Sequence, residues 1–162
     1  MNWTILSVED DDNDRLFLKL ALEDAGLAED LRMVFDGREA VDYLSCRGRF
    51  RNRRDFPLPY LILLDLNLPF MGGLEVLGWI RKQEKFKSTI VVPLSSSNLP
   101  EDIEKACAAG ANDYLVKPVT LEGWRRTALK IKNSWFRRKP VGLGAVSTTI
   151  PSAGIIATAP GA

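Results

Sequence analysis

Glu9, Asp10, Asp65, Ser95 and Lys117 are the residues whose types and positions could do chemistry. Each stands at or just past the end of a short apolar run. Glu9 and Asp10 follow residues 4–8, Asp65 follows four aliphatics at 61–64, Ser95 closes residues 89–95, and Lys117 follows residues 114–116. Carboxylates gathered at one spot repel and raise one another's pKa values unless a cation sits among them. Hard oxygen donors of this kind suit magnesium, which is held through one or two carboxylates and keeps several waters. A lysine ammonium can neutralise a transferred phosphoryl group, and a serine hydroxyl can hydrogen-bond one of its oxygens. Together these residues are suited to forming an aspartyl phosphate.

Other chemistries are closed off. The chain has no histidine, which excludes Ser-His-Asp and Cys-His catalysis and a phosphohistidine within this chain. Cys46 and Cys107 fit neither a disulfide framework nor a zinc site, and they suit a reducing compartment. Asp10, Asp12 and Asp14 have the spacing of a calcium loop. Arg15 stands where that loop needs glycine and Ala21 where it needs glutamate, so the reading fails. Asp11, Asp12 and Asp14 are then expected to be solvated loop and cap residues, with Asp14 as the helix cap.

The elements that must bring these residues together alternate in type. Strands are expected at residues 4–8, 31–35, 61–65, 89–95 and 114–116. The run at 61–64 reads as a strand buried on both faces, ended by Asp65 and broken into a loop by Pro69, Gly72 and Gly73. Between the strands, apolar residues recur at helical spacing. The first helix presents Leu16, Phe17, Leu20 and Ala21, and the second Ala40, Val41 and Leu44. The third presents Leu74, Leu77 and Ile80, and the fourth, opened by Pro100, presents Ile103, Ala106 and Cys107. A fifth, capped by Thr120, carries Leu121, Trp124, Ala128, Ile131 and Trp135. Five such alternations predict an α/β fold with a doubly wound, five-stranded parallel sheet, five helices and right-handed crossovers. In a parallel sheet all carboxyl ends share one rim, where open α/β sheets bind ligands, so the five chemical residues converge. Pro93 lies inside what should be a central strand, where it removes a ladder donor.

At 162 residues and net charge +1 the chain is expected to form one domain, with no global field toward nucleic acid or membrane. Five arginines between positions 47 and 54 sit in a long loop and are expected to be solvated; without a helix or aromatic platform they do not argue for nucleic-acid binding. Residues 1–139 hold the whole strand-helix pattern. No charged residue follows Lys139, and residues 140–162 are expected to be a disordered tail. No stretch reaches membrane-spanning length, and the N-terminus runs straight into a strand, so a cytoplasmic location is expected.

Glu9-Asp10, the D-L-N-L-P-F-M-G-G stretch at 65–73, Ser95-Ser96 and Lys117-Pro118 resemble, in order and spacing, the receiver domain of two-component response regulators. The resemblance spans about residues 3–137. Within that family the chain is most similar to single-domain regulators associated with bacterial phytochromes, through its V-E-D-D-D-N-D-R-L start, long basic loop and Trp135-Phe136 end. It implies a flavodoxin-like receiver fold with Asp65 as phosphoacceptor. Mg²⁺ would be held by Asp10, Asp65 and the Asn67 main-chain carbonyl, with Glu9 acting through water. Ser95 takes the place of the switch hydroxyl, Tyr114 that of the rotating aromatic and Lys117 that of the phosphate-binding lysine, with a cis Lys117–Pro118 bond. The implied function is a stand-alone phosphorelay switch, not an enzyme, fed by a histidine kinase of phytochrome type. The alternative is a receiver-like adaptor that binds its partner without phosphorylation. Trp135 and Phe136, expected to be incompletely covered, would anchor a homodimer through the fifth helix.

Overall fold

The computed structural model describes residues 3–137. Its strands are β1 (Ile5–Val8), β2 (Leu31–Val34), β3 (Leu61–Asp65), β4 (Ile90–Ser95) and β5 (Leu115–Val116). The helices are α1 (Asp12–Asp24), α2 (Gly37–Ser45), α3 (Gly73–Lys82), α4 (Pro100–Ala108) and α5 (Leu121–Trp135). All strands pair in parallel in the order β2-β1-β3-β4-β5. The doubly wound sheet follows from the alternation of elements. The expected tail at 140–162 lies outside the described residues.

Period-two alternation in the buried strands makes two cores. Leu61 and Leu63 of β3 join Ile5, Val92 and Leu94 against Leu18, Ala21 and Leu22 of α1 and Trp124, Ala128 and Ile131 of α5. Ile62 and Leu64 join Leu6, Val8 and Val91 against Ala40 and Leu44 of α2 and Val76, Leu77 and Ile80 of α3. β3 is therefore buried on both faces, and its last residue, Asp65, is carried to the rim at the centre of the sheet.

Several local expectations shift. Asp11, not Asp14, caps α1, its side chain accepting from the amides of Asn13 and Asp14. The inward stripe is Leu18, Ala21, Leu22 and Ala25, with i, i+3, i+4, i+7 spacing, and Leu16 is 52% exposed. Cys107 faces solvent, because Ala106 is the buried residue of α4. β5 is two residues long and starts after Tyr114. No peptide bond is cis among the described residues, so Lys117–Pro118 is trans.

Pro93 is accommodated by the shortness of β5. Residues of one parity on β4 turn their backbone groups toward the β5 side. There the Val91 amide donates to the Asn112 side chain at 2.8 Å, the Val91 carbonyl accepts from Asn112 N, and the Ser95 carbonyl accepts from Lys117 N. Pro93 lies between them with the same parity, whereas β5 pairs only with Leu94 and Ser95. The missing donor therefore points away from β3, and the central β3–β4 pairing is continuous from Leu61↔Ile90 to Asp65↔Leu94.

Two further packings are decided by distant residues. Phe136 is only 2% exposed, with ring centroids 5.8 Å from Trp3 and 5.5 Å from Tyr60. Tyr60 Oη also donates to the Trp135 carbonyl at 3.0 Å. Phe136 of the expected anchor is thus covered by the chain's own first strand region and the residue before β3, while Trp135 stays half-buried. The basic loop after α2 is folded on its own helix: Arg53 donates to the carbonyls of Tyr43, Leu44 and Phe56, and Arg49 pairs with Glu39 at 2.7 Å.

Candidate functional site

The register sets the site. Val8 lies opposite Leu64, so the residues that follow, Glu9 and Asp65, emerge side by side. Ser95 closes β4, and its carbonyl receives the Lys117 amide at 2.8 Å, which fixes where Lys117 leaves the sheet. Glu9, Asp65 and Ser95 are 4%, 5% and 2% exposed, whereas Asp10 faces solvent.

The Lys117 ammonium is the centre of the arrangement. Its Nζ lies 2.6 Å from Glu9 Oε2, 2.8 Å from Asp14 Oδ2 and 2.9 Å from Asp65 Oδ2. Burial alone would lower its pKa, but the hydrogen bonds to Asp14, Glu9 and Asp65 outweigh it and hold the lysine above its ordinary range. Burial pushes Glu9 up to about 7, the Asp65 charge adding to the rise and hydrogen bonds from Lys117 and the Asp11 amide opposing it. Asp65 Oδ1 accepts from the Asn67 amide at 2.9 Å.

Glu9, Asp10 and Asp65 each offer a carboxylate oxygen, all within 4.8 Å of one another. Such a hard-oxygen set, one member solvent-facing, fits a small divalent cation that keeps part of its water. The loop after β3 is packed so tightly that a Cβ on Gly73 would lie 2.2 Å from the Asp65 carbonyl oxygen. Only glycine lets α3 start there.

On the other side of Asp65, Leu66, Asn67, Leu74, Ser95, Ser97 and Asp102 line a cleft of about 140 Å³. Ser95 Oγ accepts from the Ser97 amide at 3.2 Å, and Ser97 Oγ donates to Asp102 at 2.5 Å. Tyr114 Oη donates to the Ser97 carbonyl at 2.9 Å. Ser95 and Tyr114 therefore meet at one short loop segment, joined through Ser97.

All seven sequence-predicted residues, Glu9, Asp10, Asp65, Asn67, Ser95, Tyr114 and Lys117, border this rim or its loop. Two participants escaped the sequence reading. Asp14, expected to be a solvated cap, pairs with Lys117. Arg15 donates to the carbonyls of Glu9 and Asp10 at 3.0 and 2.7 Å, pairs with Asp12, and lies over the Phe35 ring at 4.5 Å. Asp14 carries no local signal, because its partner lies 103 residues away, whereas Arg15 acts on the carbonyls of its own sequence neighbours, a backbone contact that residue type alone does not announce.

The response regulator receiver domain model matches residues 5–127. The chain belongs to this family of two-component signalling proteins. Response regulator Rcp1 of Synechocystis is 33% identical to it over 132 residues, covering 82% of this chain and 88% of Rcp1. The phosphorylated cyanobacterial phytochrome response regulator RcpA superposes with a TM-score of 0.77 at 33% identity, covering 85% of this chain and 96% of RcpA. RPA3017, a response regulator in red light signalling of R. palustris, gives 0.78 at 36%, covering 83% and 94%. The Mn²⁺-bound form of Rcp1 gives 0.72 at 30%, covering 84% and 96%. The receiver fold expected from the sequence is the fold of these structures.

Proposed function

We propose that this response regulator receives a phosphoryl group from a partner's phosphohistidine on Asp65. The observation that carries the reading is Lys117 Nζ, held within 3 Å of both Glu9 and Asp65 at the head of the central strand. An Asp65 carboxylate oxygen attacks phosphorus, the P–N bond breaks, and the imidazole leaves with the electron pair. The product is an acyl phosphate on Asp65. Lys117 is placed to pair with the new phosphoryl oxygens, and the Asn67 amide orients the attacking carboxylate.

Glu9, Asp10, Asp65 and the Asn67 carbonyl are the residues that would hold Mg²⁺. Bound there, the ion supplies positive charge against the charge that develops on the transferred group. Ser95 is assigned to a phosphoryl oxygen and Tyr114 to the switch. When the Ser95 hydroxyl turns to the phosphoryl group it releases the Ser97 amide, and Ser97 is the residue whose carbonyl holds Tyr114. A local electrostatic event thereby biases a packing change on the α4–β5–α5 side.

The likeness to RcpA and RPA3017 supports a sensor kinase of phytochrome type as donor. We assign residues 1–139 to the receiver and 140–162 to a tail. We place the protein in the cytoplasm, as a switch rather than an enzyme acting on other substrates. Its two cysteines are free, and among the described residues no helix is long and apolar enough to cross a membrane. The complete acid–lysine pocket supports this switch over a phosphorylation-independent adaptor. Intact mass after incubation with acetyl phosphate and Mg²⁺ tests it. Wild type should gain the mass of one phosphoryl group and Asp65→Asn none. An equal gain in both proteins refutes the assignment.

A further inference from the structure

We propose that Asp14 is a positioning counter-ion that shares Lys117 with Asp65 and so limits how tightly the phosphoryl group is held. The inference rests on the reading of Asp65 as acceptor and deepens it. An ammonium has three N–H donors. Here three carboxylates lie within 2.9 Å of Nζ: Glu9 and Asp65 from strand ends, and Asp14 from the first turn of α1. Nζ donates to Asp14 and Asp65 and pairs with Glu9, so the resting lysine's charge is shared among all three.

Asp14 is free for this because it has no other task at the helix start. Asp11 caps α1, accepting the amides of both Asn13 and Asp14 at 2.9 Å. Nor is Asp14 part of the Glu9, Asp10 and Asp65 set whose oxygens converge for a cation. Its carboxylate, 25% exposed, is turned inward to the lysine.

A phosphoryl group on Asp65 adds negative oxygens on the side of Lys117 where Asp65 already lies. Asp14 then keeps part of the ammonium's charge and adds a like charge nearby. An amide in its place retains an oxygen acceptor for Lys117 but carries no charge, so the full ammonium is offered to the phosphoryl oxygens.

The test uses beryllofluoride, which mimics the phosphoryl group, titrated calorimetrically into the full chain at saturating Mg²⁺. Asp14→Asn should bind it about fivefold more tightly than wild type, the upper end for a partly exposed ion pair. Asp14→Glu, which keeps the charge, should stay within about twofold of wild type. Equal or weaker binding by Asp14→Asn overturns the inference, since a residue that only props up Lys117 would weaken binding when altered. The same tightening in Asp14→Glu also overturns it. Wild type that fails to bind beryllofluoride at all would instead bring down the phosphoacceptor reading, and this inference with it.

Discussion

Lys117→Met is the perturbation that most directly probes the charge balance of the site. It replaces an ammonium whose side chain is 7% exposed with an apolar group of similar length. Glu9 and Asp65, each 5% exposed in their side chains, then face each other without it. Removing one partner of a buried ion pair costs about 3–5 kcal/mol, because the remaining charge is left uncompensated. In EDTA at pH 8, urea unfolding of Lys117→Met should show a loss of that size. The loss should shrink at lower pH. Glu9 already sits near 7 in the wild type rather than at its ordinary 4.5, and the hydrogen bond from Lys117 is one of the influences holding it down. The folded state thus binds the Glu9 proton more tightly than the unfolded chain does. Metal-free wild type has this contribution in full below about pH 4.5 and loses it as pH rises through 7. The variant, with Glu9 titrating higher still, should lose it over a window reaching above 7. Magnesium should reverse the defect. Two cations that share the same carboxylates repel strongly at an effective dielectric constant of about 20. Without the lysine, Mg²⁺ affinity should therefore rise by about tenfold or more, equivalent to about 1.4 kcal/mol. A variant as stable as wild type in EDTA at pH 8, or one that binds Mg²⁺ more weakly, would refute the reasoning.

Gly73→Ala should destabilise the fold by about 3 kcal/mol and slow phosphoryl uptake, because the new Cβ meets backbone atoms of Asp65 and Leu66 that cannot yield. Denaturation and phosphorylation kinetics read both effects, and an unchanged urea midpoint contradicts the packing argument. A homodimer through α5 is expected to form in the beryllofluoride-bound state using exposed Leu129 and Val116, 51% and 45% accessible, rather than the covered Phe136. Sedimentation should show association of wild type and its loss in Leu129→Asp; monomers in every sample would eliminate the dimer.

Much of this protein was readable from sequence because its signals are local. A four-residue aliphatic run that stops at Asp65 gives a buried strand, its end and its chemistry together. Five such units in alternation require a parallel sheet whose carboxyl ends share a rim, so Glu9, Asp10, Ser95 and Lys117 could be placed near Asp65 without coordinates. Glycines 72 and 73 announced the loop, though not that Gly73 must clear a carbonyl at contact distance. What the sequence left open depends on which distant groups compete for the same neighbour. Asp14 looked like a helix cap because aspartates are good caps. Asp11 took that role, and the fold set Lys117, a residue 103 positions away, within 2.8 Å of Asp14. Phe136 looked exposed at a helix end until Trp3 and Tyr60 closed over it. Pro93 looked like a defect in a central strand, but its missing donor points to a side where β5 is only two residues long. Periodicity states which face of an element is apolar; only the tertiary structure decides what covers that face and which charge answers which.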